Sequence, residues 1–392
     1  MKAIVFGAGK IARGFIGQLL YMSGFAITFV DANVQLVSQL QAAKSYHVYV
    51  LGNEALDSDV DRFQIYHVSQ QEEIAKALQE ADVAFVSVGG NNLAKIGACI
   101  AELYSSFGIP DKTMNFVACE NYKNSGKVLR QAIEAGLDAE LLSAFTKQIG
   151  VSEAVIMRTA TQPTEELAAK EPLNVWVQDF WYLPINAKYL KGNFPVIQYT
   201  DLMDQFGQFL IQKMYTNNTS NAVIAYNGYL LGYDVLAEAA NSAPIAKLLD
   251  QVYEEINDLL VAELGIDRSK QEAFAKKARA KYTDWTIVDR VIRHGKDPIR
   301  KLGPDDRLIA PARLALRHGI YPNTIIDTIA KALFFDEITD EAAQQLKQLR
   351  QMHGVEYVLK TICQLDEQEQ LYKAVVTRVA ELRQEGILTS HE

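Results

Sequence analysis

Residues 2–12 read KAIVFGAGKIA. The stretch Lys2 to Phe6 is short and apolar, the pattern of a buried β-strand, and an apolar helical pattern continues from the glycines through Tyr21. Between them, Gly7-Ala8-Gly9-Lys10-Ile11-Ala12 fits G-x-G-x-x-G/A. At average composition a chain this long meets that pattern by accident about 0.3 times, so its position between strand and helix carries the reading. Gly7 permits the tight turn, Gly9 lets the backbone approach a pyrophosphate, and Ala12 lets helix and strand pack closely. Lys10 and Ile11 lie in the helix's first turn, where amide groups and the helix dipole attract phosphate. A second strand, Ala26 to Val30, ends at Asp31, 22 residues beyond Gly9. A carboxylate there accepts hydrogen bonds from ribose hydroxyls and repels a 2′-phosphate, which predicts NAD rather than NADP.

The alternation continues. Val83 to Val88 reads as a strand closed by Gly89-Gly90, where a cofactor can pass close to the backbone, and Asn115 to Cys119 as one closed by Glu120-Asn121. The stretches Ala154–Thr159 and Val175–Phe180 look extended and are expected to finish the sheet. Beyond about residue 200 the pattern turns helical. Ile245, Leu248, Leu249, Val252, Ile256, Leu259 and Leu260 mark one buried face, and Leu371, Val375, Val379 and Leu382 another. Ser269 with Glu272, and more loosely Asp366 with Glu369, have capping-box spacing. The expected architecture is an α/β Rossmann-like domain with a mostly parallel sheet, residues 1–195, followed by an all-α domain, residues 196–392. No Pro- or Gly-rich linker separates them, so close packing around a shared cleft is expected, with Phe180-Trp181-Tyr182 as interdomain packing.

Composition narrows the function. With 39 Lys+Arg against 48 Asp+Glu, the net charge of -9 disfavours a general nucleic-acid binder. No apolar run approaches the roughly 20 residues that span a bilayer, and the start lacks the features of a signal peptide. Cys99, Cys119 and Cys363 are too few and too scattered for a disulfide framework or a zinc site, and His47, His67, His294, His318, His353 and His391 show no metal-ligand spacing. A cytoplasmic protein without a metal is expected. Oligomeric state is left open, a monomer included.

In the helical half, Lys213-Met214-Tyr215-Thr216-Asn217-Asn218-Thr219-Ser220-Asn221 puts Lys213 about 80° and Asn218 about 60° from Asn221 on an α-helix. These residues alone describe either a solvated face or a polar site.

FGAGKIARGFIG at the start, ACEN around Asn121, KMYTNNTSNAVIAY around Lys213 and RKLGPDDRLIAP from Arg300 to Pro311 follow one another as in the polyol-specific long-chain (mannitol) dehydrogenases, which the chain resembles over nearly its whole length. The resemblance implies zinc-independent, NAD-dependent interconversion of D-mannitol 1-phosphate and D-fructose 6-phosphate. It makes Lys213 the general acid/base, with its pKa lowered by desolvation and by the positive nicotinamide ring. It makes Asn121 and Asn218 the amides that stabilise the developing alkoxide. Arg300, Lys301 and Arg307, with Arg313 nearby, are candidates to clamp a sugar phosphate, or else to pair with Asp305 and Asp306.

Two positions depart from the family pattern. The motif K-x4-N-x2-H ends here in Asn221, which hydrogen-bonds a hydroxyl but carries no proton, and the aspartate of V-D-R is replaced by Met157 in Ile156-Met157-Arg158. His294 and His318 flank the basic block, and either can stand in for the lost histidine if the fold brings it near. Three readings remain: this dehydrogenase, a related one acting on another polyol, polyol phosphate or sugar acid, and a catalytically impaired NAD-binding paralogue.

Overall fold

The computed structural model describes residues 1–121, 124–161 and 165–388. His391 lies outside them. Two compact units divide the chain, Met1–Phe206 and a second that starts at Gly207. The change of sequence pattern near 195 precedes this division because Thr200–Met203 forms a strand parallel to Leu183–Asn186 within the first unit.

The main sheet of the first unit has six strands: β1 (Lys2–Phe6), β2 (Ala26–Asp31), β3 (Phe63–His67), β4 (Val83–Val86), β5 (Met114–Ala118) and β6 (Ile149–Glu153). Their order is β3-β2-β1-β4-β5-β6 and every pairing is parallel. This is the doubly wound order whose reversal, between β1 and β4, opens a crevice at the carboxyl ends of the strands. Burial on both faces explains the continuous apolar runs. Along β1, Ala3 and Val5 enter one core with Phe15, Phe29 and Val175, while Ile4 and Phe6 enter the other with Val86, Phe116 and Val151.

Two expected strands lie elsewhere. The sixth strand is Ile149–Glu153, one segment before Ala154–Thr159, because β5 ends at Ala118, whose carbonyl accepts the last ladder bond from the Ala154 amide. Val175–Gln178 belongs to a separate four-stranded sheet, parallel to Tyr46–Leu51 and antiparallel to Ala160–Thr161. Trp181 packs inside the first unit, its ring 4.1 Å under the Arg158 guanidinium and 5.1 Å from Tyr199.

The second unit surrounds the helix Thr219–Leu230, which is buried on all sides from Thr219 to Gly228. Ala243–Leu264 packs there through Ile245, Leu249, Val252, Ile256 and Leu260, and Gln370–Gln384 through Leu371, Val375, Val379 and Leu382. The helix expected to begin at Ser269 begins at Arg268, with Asp267 accepting from the Lys270 amide as its cap. An ionised carboxylate is the stronger acceptor at that end. Glu369 does accept from the Asp366 amide, but it is itself the residue before the last helix, so the pair closes a turn. Among the described residues no helix is long and apolar enough to cross a membrane.

Candidate active site

Gly7 sits at the carboxyl end of β1 with φ +100°, and a Cβ there would come 2.0 Å from the Ser87 carbonyl oxygen. Only glycine fits. Gly9 differs: no heavy atom lies within 4 Å of the place its Cβ would take. Protein packing therefore leaves room for an alanine there. The amide of Arg13 makes the first helical bond, to the Gly9 carbonyl, so the Lys10, Ile11 and Ala12 amides precede it. Ala12 is fully buried, as expected, but the closest packing falls on Gly14, where a Cβ would strike Val175 and Val177 at 2.6 and 2.8 Å.

Asp31 accepts from the Ala8 amide at 2.6 Å and from the Asn33 amide at 2.8 Å. It braces the glycine turn and keeps a carboxylate at the end of β2. Gly89, with φ +86°, donates its amide to Glu120 at 2.7 Å and leads into Gly90–Asn92, a short 3₁₀ turn. Burial raises the Glu120 carboxyl, opposed by the Gly89 and Val88 amides. Glu120 thus ties the loop after β4 to the one after β5, which carries the exposed Asn121. Sequence reading passed over this brace.

The helix after the glycine turn widens into a π-turn at Ala12–Gly17. Its displaced carbonyls are taken up from outside: Tyr46 donates to the Arg13 carbonyl at 3.2 Å and Arg158 to that of Gly14 at 3.1 Å. Arg158 also binds the Gln178 carbonyl and the Gln18 side chain, and burial lowers its pKa to about 9 against the pull of Asp179. Met157 beside it is buried.

The second unit repeats the device. Phe206–Lys213 continues through a π-turn, Met214–Asn218, into Thr219–Leu230, and the Thr219 amide bonds back five residues to Met214. On an unbroken α-helix Lys213 and Asn218 would diverge by about 140°. The extra residue in the turn brings them toward one face, and it alters the α-helical angles expected from the sequence. Buried polar groups hold the turn. Gln271 donates to Thr216 at 3.1 Å and to Asn257 at 3.0 Å, and Tyr282 donates to the Asn217 carbonyl at 2.8 Å.

Burial, then the positive charges of Lys281 and Arg307, lower Lys213 to about 8, with Asp306 opposing. Lys281 is likewise lowered to about 8 by burial, against Asp289. Asn218, the last residue of the turn, is half-buried, and Asn221 is buried with its amide 2.9 Å from His294. His318, the other candidate, pairs with Glu263 at 2.7 Å.

The basic block divides by role. Lys301 is buried, its ammonium donating to the carbonyls of His294 and Lys296, and burial with Arg307 and Arg300 lowers it to about 7. Arg300 and Arg307 share Asp306, at 3.1 and 2.8 Å. Burial opposes the Asp306 charge, but the two arginines outweigh it and hold the carboxyl below its usual range. The Arg307 carbonyl accepts from Thr219 at 2.7 Å, which fastens this residue to the lysine helix. Arg313 makes a forked pair with Glu369 at 2.7 and 3.0 Å, away from this group of charges. Among the described residues no cluster of three or more His, Cys, Asp or Glu is placed to hold a metal.

The family models of the mannitol dehydrogenase Rossmann domain and C-terminal domain match residues 1–199 and 205–383. The chain is 31% identical over 384 residues to a mannitol-1-phosphate 5-dehydrogenase of Caldanaerobacter subterraneus subsp. tengcongensis, covering 98% of this chain and 99% of that one. It is also 31% identical over 389 residues to the protein of that name from Arthrobacter sp. (strain FB24), covering 98% and 99%. Among solved structures, Pseudomonas fluorescens mannitol 2-dehydrogenase in ternary complex with NAD and D-mannitol superposes with TM-score 0.73 at 14% identity, over 99% of this chain and 92% of that one. A D-sorbitol dehydrogenase gives 0.79 at 14%, over 98% and 93%. These last two are likenesses of fold. Matched in both of its halves, the chain belongs to the mannitol dehydrogenase family.

Proposed function

We propose that the protein is an NAD-dependent polyol-phosphate dehydrogenase that interconverts D-mannitol 1-phosphate and D-fructose 6-phosphate, with Lys213 as general acid/base. The observation that carries this reading is Lys213 itself, lowered to about 8 on the helix that also bears Asn218 and Asn221. The full-length relatives named for this reaction supply the substrate.

The first unit fits the cofactor. Gly9 offers an open backbone, the amides of Lys10, Ile11 and Ala12 open a helix toward a pyrophosphate, and Gly89 and Gly90 line the next strand end. Asp31 selects against a 2′-phosphate by charge. Bound there, NAD supplies a hydride acceptor.

The chain's own residues do the rest. In oxidation, neutral Lys213 takes the proton of the substrate hydroxyl. Asn218 donates to the oxygen as negative charge grows on it, the role that the family resemblance also gives Asn121. In reduction the same amides polarise the ketone and the Lys213 ammonium returns the proton. Arg307, half-buried and fastened to the lysine helix, is the best placed of the basic residues to receive the phosphate; Arg300 assists from the shared Asp306.

NADH oxidation with fructose 6-phosphate, and its loss in Lys213→Ala, tests the reading. Undiminished turnover in that variant refutes the base. Asn221 and Met157 favour a second reading, the same chemistry on another polyol, polyol phosphate or sugar acid. A substrate panel with NADH separates the two, since this reading requires activity on a different member and none on fructose 6-phosphate. Tight NADH binding without turnover on any member would indicate a binding protein instead.

A further inference from the structure

Asn221 stands where the family motif carries histidine, and the fold brings an imidazole to it. The Asn221 amide nitrogen lies 2.9 Å from Nδ1 of His294, 73 positions along the chain, and Nε2 of His294 lies 2.7 Å from Asp289. Burial opposes the charge on Asp289, but His294 and Arg293 outweigh it and hold the carboxyl at about 2. An ionised carboxylate only accepts, so Nε2 carries the ring proton and Nδ1 of the neutral ring is an acceptor. The Asn221 amide must then turn its NH2 toward His294 and its carbonyl oxygen outward. A second proton on the ring makes Nδ1 a donor and reverses the amide.

We propose that Asp289 and His294 set which end of the Asn221 amide meets the substrate, making His294 a positioning residue for recognition of a substrate hydroxyl. This rests on the reading of the Lys213 helix as the active site. With His294 neutral, Asn221 offers Oδ1 and accepts from the hydroxyl; with His294 protonated, it offers NH2. The imidazole that the family motif places on the lysine helix sits here on the neighbouring segment Val291–Gly295, behind Asn221.

Charged and titratable groups surround the relay. Arg293 pairs with Asp289 at 2.6 Å, and Lys281 lies in the field of Asp289. The Lys301 ammonium binds the His294 carbonyl, and the Tyr226 hydroxyl donates to the Gly295 carbonyl at 3.1 Å. Arg307 and Asp306 act on Lys213 from the basic block. None of these replaces Asp289 on Nε2, so it is the imidazole proton that switches the amide.

Two measurements test this on the full chain. With ¹⁵N-labelled histidine, and the His294 resonances identified by their loss in His294→Gln, the ring should show the Nε2–H tautomer when neutral, and Asn221→Ala should move the Nδ1 signal. An Nδ1–H tautomer, or an Nδ1 signal indifferent to Asn221→Ala, overturns the proposal without reference to activity. The second measurement is KM and kcat on fructose 6-phosphate, or on the panel member turned over best, between about pH 5.5 and 9. The wild-type KM should vary with pH. In His294→Gln it should be raised about three- to tenfold and stay flat, with kcat changed less than about twofold. Asp289→Asn should flatten the same profile, which guards against a folding defect in the first variant. An inactive Lys213→Ala beside a His294→Gln with wild-type KM at every pH sinks the relay alone. An active Lys213→Ala sinks the active-site reading and leaves the tautomer result to judge the hydrogen-bond chain.

Discussion

Replacing Lys213 by methionine should cut turnover sharply and make the protein more stable. The side chain keeps its length and apolar stem but loses the ammonium. The fall from the ordinary 10.5 to about 8 corresponds to about 3 kcal/mol of unfavourable charge burial. Below pH 8 both the folded and the unfolded chain hold the Lys213 proton, and that cost is fully present. Between about 8 and 10.5 the folded chain releases the proton while the unfolded chain keeps it, so the wild type gains stability relative to Lys213→Met as pH rises. The advantage of the variant should therefore be about 3 kcal/mol at pH 7 and about 1 kcal/mol at pH 9.5. In a unit of this size the pH 7 figure is a rise of about 6–12 °C in the melting transition. Thermal or urea melts of both proteins at the two pH values measure it. Turnover should fall by about 10²- to 10⁴-fold, the usual worth of a general base. A variant no more stable than wild type, or one whose advantage does not change with pH, would mean that Lys213 bears no buried charge, and the base would have to be sought elsewhere.

Three comparisons test the remaining parts. Gly7→Ala forces a Cβ into the Ser87 carbonyl and should cost at least about 1–3 kcal/mol of stability. Gly9→Ala meets nothing and should melt within about 0.5 kcal/mol of wild type, yet bind NADH at least about tenfold more weakly by titration. Arg307→Ala should raise the KM for a phosphorylated substrate about 10- to 100-fold and leave that for a non-phosphorylated analogue nearly unchanged. Because Arg307 lowers Lys213, the same variant should also move the rising limb of the oxidation rate to higher pH. Arg313→Ala, which breaks the pair with Glu369 and the bond to the Gln364 carbonyl, should lose about 0.5–1 kcal/mol and keep its KM.

The nucleotide half was legible because a parallel sheet buried on both faces writes itself as apolar runs ending in glycines and polar residues, and β1, β2, β4 and β5 all follow that rule. Strands that bury one face are quieter. Tyr46–Leu51 alternates between buried and half-buried residues and β3 contains Gln64 and His67, so neither stood out. The family blocks gave Lys213, Asn218 and Asn121 their proposed roles, but no spacing rule could divide the basic block. Whether Lys301 faces a ligand or two backbone carbonyls depends on how the chain turns between His294 and Lys301. The Asn221–His294 contact joins residues 73 apart, beyond any local periodicity.

Both helices that carry the proposed site residues are interrupted by a π-turn, and this has a consequence for what holds those residues in place. A π-turn costs helical regularity and survives where its displaced groups find partners. In the first unit Tyr46 and Arg158 bind carbonyls of the turn; in the second, Tyr282 binds the Asn217 carbonyl and Gln271 the Thr216 hydroxyl. None of the four is a candidate for chemistry, and all come from other elements of their unit. The spacing K-x4-N makes physical sense only with the wide turn in place, since an unbroken α-helix would point the lysine and the amide apart. The geometry of Lys213 and Asn218 is therefore set by Gln271 and Tyr282 behind the helix as much as by the order of residues along it. A search for lysine and asparagine alone would find the motif and miss what shapes it.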